Sequence, residues 1–100
     1  METKQALQID KKEIKLIDGE FTPTQASDIL NAMIDQKINF HKIENLQHWE
    51  KNHDNDPKPF IDRIQQLEDE KKALDTYITQ IKKSGKNVRI DGLLSLSPID

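Results

Sequence analysis

From Phe60 to Ile81 the residues Phe60, Ile64, Leu67, Lys71, Leu74, Ile78 and Ile81 recur at spacings of 4-3-4-3-4-3, with one lysine among six apolar positions. That is a heptad seam, and a helix that carries one must lay it against another helix. Just before it, Lys51-Asn52-His53-Asp54-Asn55-Asp56-Pro57-Lys58-Pro59 holds two prolines and no large apolar side chain. A helix does not continue through such a stretch, so it reads as a loop over 52–56. Asp56 reads as the N-cap and Pro57 as the first residue of a helix over 57–84. Lys82 and Lys83 suit the negative end of its dipole, and Gly85 suits the left-handed position beyond it.

The helix on the other side of the loop has an equally well-marked start. In Phe21-Thr22-Pro23-Thr24-Gln25-Ala26, Thr22 stands at the N-cap, Pro23 at N1 and Gln25 at N3, which makes a capping box. Phe21 and Ala26 fall at the two positions of a hydrophobic staple. The predicted helix runs over 23–51, so each helix is roughly 40 Å long at ~1.5 Å per residue. A short loop between two long helices forces them antiparallel, as a hairpin.

Outside the helices, Glu13 to Asp18 alternates around Ile14 and Leu16, and Asn87 to Asp91 alternates at Val88 and Ile90. Both read as short strands, the first ended by Gly19. They leave the hairpin at the same end, where pairing them is the economical solution. Residues 1–12 are expected to fray. Residues 92–100 form a tail that either docks or is disordered. The expected fold is mainly α: a single domain over 1–100, built as a long antiparallel helical hairpin with a short β-strand at each end.

The first helix does not offer one clean stripe. Ala26, Leu30 and Met33 can meet Ile81, Ile78 and Leu74 when the chain is folded at the loop. Further along, Lys37 would meet Lys71, and His41, Glu44 and His48 would face Leu67, Ile64 and Phe60. Its remaining apolar residues Phe40, Ile43, Leu46 and Trp49 step by threes, which rotates backwards by roughly 60° per step on a helix of 3.6 residues per turn. Either the helix breaks or tightens near 39–45 and re-aims them inward, or it stays straight and shows a second apolar face. Ile34 and Ile38, also off the main stripe, point the same way. A two-helix hairpin buries little and is marginal alone. Dimerisation into a four-helix bundle follows as the expected assembly. Phe40, Ile43, Leu46, Trp49, Phe60, Ile64 and Leu67 are its candidate contacts, or those of another protein. Trp49 has a plainer alternative, packing over its own turn beside Phe60.

Composition excludes much else. The chain has 100 residues, 15 Lys and Arg against 18 Asp and Glu, a net charge of −3, and no cysteine. That length leaves no room for a two-lobed enzyme, and the missing cysteines exclude disulfides, thiolate zinc and a Cys nucleophile. No apolar run approaches a membrane span or a signal-peptide core, so a cytoplasmic location is expected. No serine sits in a nucleophile-elbow context and no glycine-rich phosphate loop exists. His41, Glu44 and His48 share a helix face and carry metal-ligating groups. The di-iron bundle pattern would need a histidine at position 47, where Gln47 stands. The bland reading is a polar, partly solvated surface. Lys82, Lys83, Lys86 and Arg89 form a local basic patch, which Lys11, Lys12 and Lys15 would join if the strands pair. It lacks interleaved aromatics on an acidic chain, which disfavours nucleic acid. No cofactor is implied.

The stretch I-K-L-I-D-G-E-F-T-P-T-Q-A (14–26), followed by K-I-N-F-H (37–41), resembles a group of small uncharacterised bacterial proteins with a short strand, a Phe-Thr-Pro helix start and a helical hairpin. The resemblance implies a bacterial cytosolic source and this architecture. It brings no activity, substrate or catalytic residue. The expected function is therefore a non-enzymatic, self-associating protein-interaction or structural module with an unknown protein partner, and the alternatives are a nucleic-acid-associated factor and a helix-borne metal site.

Overall fold

The structure, a computed structural model, describes residues 8–54 and 56–99. The element order is β1 (Lys12–Phe21), α1 (Pro23–Lys51), α2 (Lys58–Lys83) and β2 (Val88–Leu96). The two helices form a hairpin, and the two strands pair antiparallel in a two-stranded sheet. The chain divides into two compact units, the hairpin over Phe21–Val88 and a second unit that holds most of the strand ribbon.

In the hairpin, local chemistry sets the helix ends. The Thr22 amide donates to Gln25 Oε1 at 3.0 Å, and the Gln25 amide donates to Thr22 Oγ1 at 3.1 Å. Both halves of the capping box are thus present, with Pro23 behind them. At the start of α2 the Lys58 amide donates to Asp56 Oδ1 at 3.0 Å. The expected Asp56 N-cap is corrected: Pro57 takes the N-cap position and the helix begins one residue later. Asp56, just before Pro57, receives the Lys58 amide in an Asx-type turn. At the other end, the Gly85 amide reaches Lys82 O and the Lys86 amide reaches Ile81 O. Those two bonds define a Schellman motif, and they require the positive φ of +73° that Gly85 adopts.

Helix α1 is unbroken from Pro23 to Lys51. The break considered near 39–45 is absent, so the mismatch of faces has another resolution. Of the stripe expected to face inward, Ala26, Leu30, His41 and Glu44 are among the less exposed positions of α1. They are joined by Ser27, Asn31, Ile34, Ile38 and Asn45, which together with His41 are spaced 4-3-4-3-4. The inward face is thus broader than the expected stripe and extends one position beyond it. Ile38 is 7% exposed and Met33 is 42% exposed, which reverses the expected assignment of the two residues. The helices still meet in the expected order. His48 and Phe60 rings lie 5.1 Å apart near the loop, and Lys71 Nζ bonds Asp35 Oδ1 at 2.6 Å midway. The seam of α2 is thus apolar apart from Lys71, while the inward face of α1 mixes Ala26, Leu30, Ile34 and Ile38 with Ser27, Asn31, His41 and Asn45. This works because a two-helix seam is open to water along both sides, so His and Asn can offer their carbon atoms to α2 and keep most polar atoms wet. Two atoms are exceptions: Asn31 Oδ1 and His41 Nε2 are buried without a partner.

The ribbon is longer than the alternating tracts suggested. Gly19 does not end β1, which runs on through Glu20 to Phe21, and β2 takes in Gly92 to Leu96. The expected tail over 92–100 is therefore corrected: its first five residues are strand. A glycine read alone looks like a stop, but once a partner strand supplies hydrogen bonds its missing side chain no longer breaks the ladder. Gly92 lies beside Ile17, where an added Cβ would sit 3.9 Å from Ile17 Cβ, an ordinary contact. The expected fraying over 1–12 falls, for residues 1–7, outside the described residues.

Candidate interaction surfaces

On α1 the residues Phe40, Ile43, Leu46 and Trp49 are between 48% and 56% exposed. Because the helix is unbroken, their steps of three wind them through roughly 180° of its circumference: Phe40, Ile43 and Leu46 lie on its outer side, and Trp49 returns to the edge of the seam. Local contacts dress this surface without covering it. Lys37 Nζ lies 5.2 Å from the centre of the Phe40 ring, and the His41 ring meets Phe40 edge-on at 5.5 Å. Trp49 stacks on His53 of the connecting turn, with ring centres 4.0 Å apart and planes 13° from parallel. Trp49 thus packs over its own turn, but against His53; Phe60 packs against His48 instead. Met33 extends the surface toward the helix start, where it lines a shallow hollow with Gln36, Lys37 and Phe40. Reading Met33 as a core residue hid this extension.

The other expected contacts lie differently. Phe60, Ile64 and Leu67 are half-buried along the seam of α2. Among the described residues the buried apolar side chains are Ala26, Ile38, Ile78 and Val88, and no large side chain is fully buried. Much of the apolar surface of this chain therefore faces outward.

The histidines do not assemble into a metal centre. His41 Nδ1 lies 3.0 Å from Glu44 Oε1 in a mutual hydrogen bond, and His48 lies on Phe60. Among the described residues no three His, Cys, Asp or Glu side chains are placed to share an ion. An open groove of about 710 Å³ is lined by Asn31, Gln65, Glu68, Lys71, Lys72, Asp75 and Thr76. Its charges are of both signs, and it contains none of the candidate contact, basic-patch or metal residues.

The basic patch is reduced by its neighbours. Arg89 donates to both Asp91 oxygens, at 3.2 and 3.0 Å, and also to Asp18. The Asp91 bond and charge, followed by the charge and bond of Asp18, raise the guanidinium above its ordinary value. Lys11 pairs with Glu13 at 3.4 Å and Lys15 with Asp18 at 3.5 Å. Lys82, Lys83 and Lys86 are exposed. Counting local lysines missed this offset because Asp18 is remote in sequence from Arg89 and meets it only when the strands pair.

No protein-family model, curated protein or solved structure matches this chain. Among the described residues no helix is long and apolar enough to cross a membrane.

Proposed function

We propose that this chain is a non-enzymatic interaction module that self-associates through the outer side of α1, forming a four-helix bundle, and in that form binds another protein. The observation that carries the reading is the set Phe40, Ile43, Leu46 and Trp49, half-exposed on an unbroken helix in a chain with so few buried side chains. Covering the exposed half of each is worth about 1 kcal/mol, given roughly 1.5–3 kcal/mol for complete burial of a large apolar side chain. Aromatic anchors among aliphatic neighbours are also what protein interfaces concentrate at their centres. The resemblance at residues 14–26 makes a bacterial cytoplasm the setting of this reading. A nucleic-acid reading would rest on Lys82, Lys83 and Lys86, since Arg89 is already held by Asp91 and Asp18.

The test is solution mass by light scattering over a concentration range, for the wild type and Phe40→Glu. The wild type is expected to exceed the 11.6 kDa chain mass by a factor of two or more, and the substitution to halve it. A wild-type mass of one chain throughout, or a mass indifferent to the substitution, contradicts the reading.

A further inference from the structure

The two outer edges of the ribbon differ in charge. Along β1, Lys12, Glu13, Lys15, Asp18 and Glu20 place a charge at half of its ten positions, which is how natural edge strands are kept from pairing with others. Along β2 the charges stop at Asp91. Gly92-Leu93-Leu94-Ser95-Leu96 carries none, and the proline that would blunt this edge, Pro98, lies beyond the strand's end. Leu93, Leu94 and Leu96 are all exposed, with Leu94 and Leu96 on one face and Leu93 on the other. The sheet has two strands, and a two-stranded ribbon is marginally stable at best, whereas three or more strands sharing an apolar face are not.

We infer that the free edge of β2 pairs antiparallel with β2 of a second copy, giving a four-stranded sheet ordered β1-β2-β2-β1 across the two chains. Charge selects this occupant. When residues 92–96 overlap their own copy in antiparallel register, no charged residue of one β2 stands opposite a charged residue of the other: Leu94 meets Leu94, Leu93 meets Ser95 and Leu96 meets Gly92. The contact is isologous, so it closes as a pair. It is independent of the outer side of α1, and a chain with both contacts assembles beyond a dimer.

Solution mass is measured for the wild type, for Leu94→Lys/Leu96→Lys, for Phe40→Glu and for the three substitutions combined. The wild type is expected to exceed two chains. The β2 variant and Phe40→Glu each fall to two chains, and the combined variant falls to one. If the β2 variant matches the wild type at every concentration, or Phe40→Glu is already a single chain, strand pairing is overturned. If Phe40→Glu changes nothing while the β2 variant becomes a single chain, the edge stands and the α1 reading falls. Amide exchange in the wild type separates loss of pairing from loss of folding. Raising the concentration should protect those amides of 92–96 that do not bond to β1, and unchanged exchange there also overturns the inference.

Discussion

Helices α1 and α2 are 29 and 26 residues long and belong to one hairpin, yet they solve the packing problem in opposite ways. The inward series of α2 is apolar apart from Lys71, and its outer side is mostly charged, with Ile61 and Tyr77 as its large exposed apolar residues. In α1 the inward series includes Ser27, Asn31, His41 and Asn45, while Phe40, Ile43, Leu46 and Trp49 stay half-exposed. A helix evolved only to close a hairpin would not keep its largest apolar residues in water. The difference is what the proposed second surface on α1 rests on.

The strongest way to break that comparison is to cut into the seam itself. Ile38→Ala and Ile78→Ala remove side chains that are 7% and 6% exposed, and each is expected to cost about 2–4 kcal/mol in urea unfolding at fixed protein concentration. Met33→Ala should cost under about 1 kcal/mol, as at a surface position. Equal losses at Ile38 and Met33 would mean that α1 is rotated from the face described. Next in size is the end of α2. Gly85→Ala places a Cβ on a residue at φ +73° and is expected to lower stability by about 1 kcal/mol.

A change of opposite sign sharpens the contrast between the seams. Asn31→Leu removes the orphaned Oδ1 and makes the α1 seam more like that of α2. It is expected to raise stability by about 1 kcal/mol despite losing the 3.0 Å bond to Ser27. Destabilisation would mean that the amide is satisfied where it sits. The smallest effects belong to exposed ion pairs. Lys71→Ala should shift stability by under about 0.5 kcal/mol, with salt removing most of that. The Lys58 ammonium, bonded to Asp62 at 2.7 Å, is raised above its ordinary value by that bond and then by the charge of Asp62. A raised folded-state value makes its contribution complete below the ordinary lysine range and lost as pH climbs through the raised one. Helix content followed by circular dichroism should therefore show no loss from this pair between neutral pH and the lysine range.

What could be read in advance follows the same division. The Thr22–Gln25 box, the turn at Asp56, the Gly85 stop and the seam of α2 are local signals, and each appears in the structure. The seam of α1 was legible in part: folding the chain at the loop places Ala26, Leu30, His41 and Glu44 inward. A search for apolar residues passes over Asn31 and Asn45, which qualify as inward only once α2 is there to cover their carbon atoms. The strands were read short because Gly19 and Gly92 resemble stops until a partner strand is supplied. The exposed side of α1 was legible as one of two alternatives, and straightness of the helix decides between them. Arg89 was misread as part of a patch because its partner Asp18 lies at the other end of the chain.

The central claim is that the outer side of α1 is covered by a second copy, and Trp49, the sole tryptophan, reports from the edge of that surface. Its emission should be followed over a dilution series of the Leu94→Lys/Leu96→Lys variant, where the β2 contact is removed, while solution mass is recorded on the same samples. The account predicts a red shift on dilution that tracks the fall in mass, as Trp49 passes from an interface into water. An emission maximum that stays fixed while the mass of this variant falls would place the remaining association elsewhere on the chain and contradict the account.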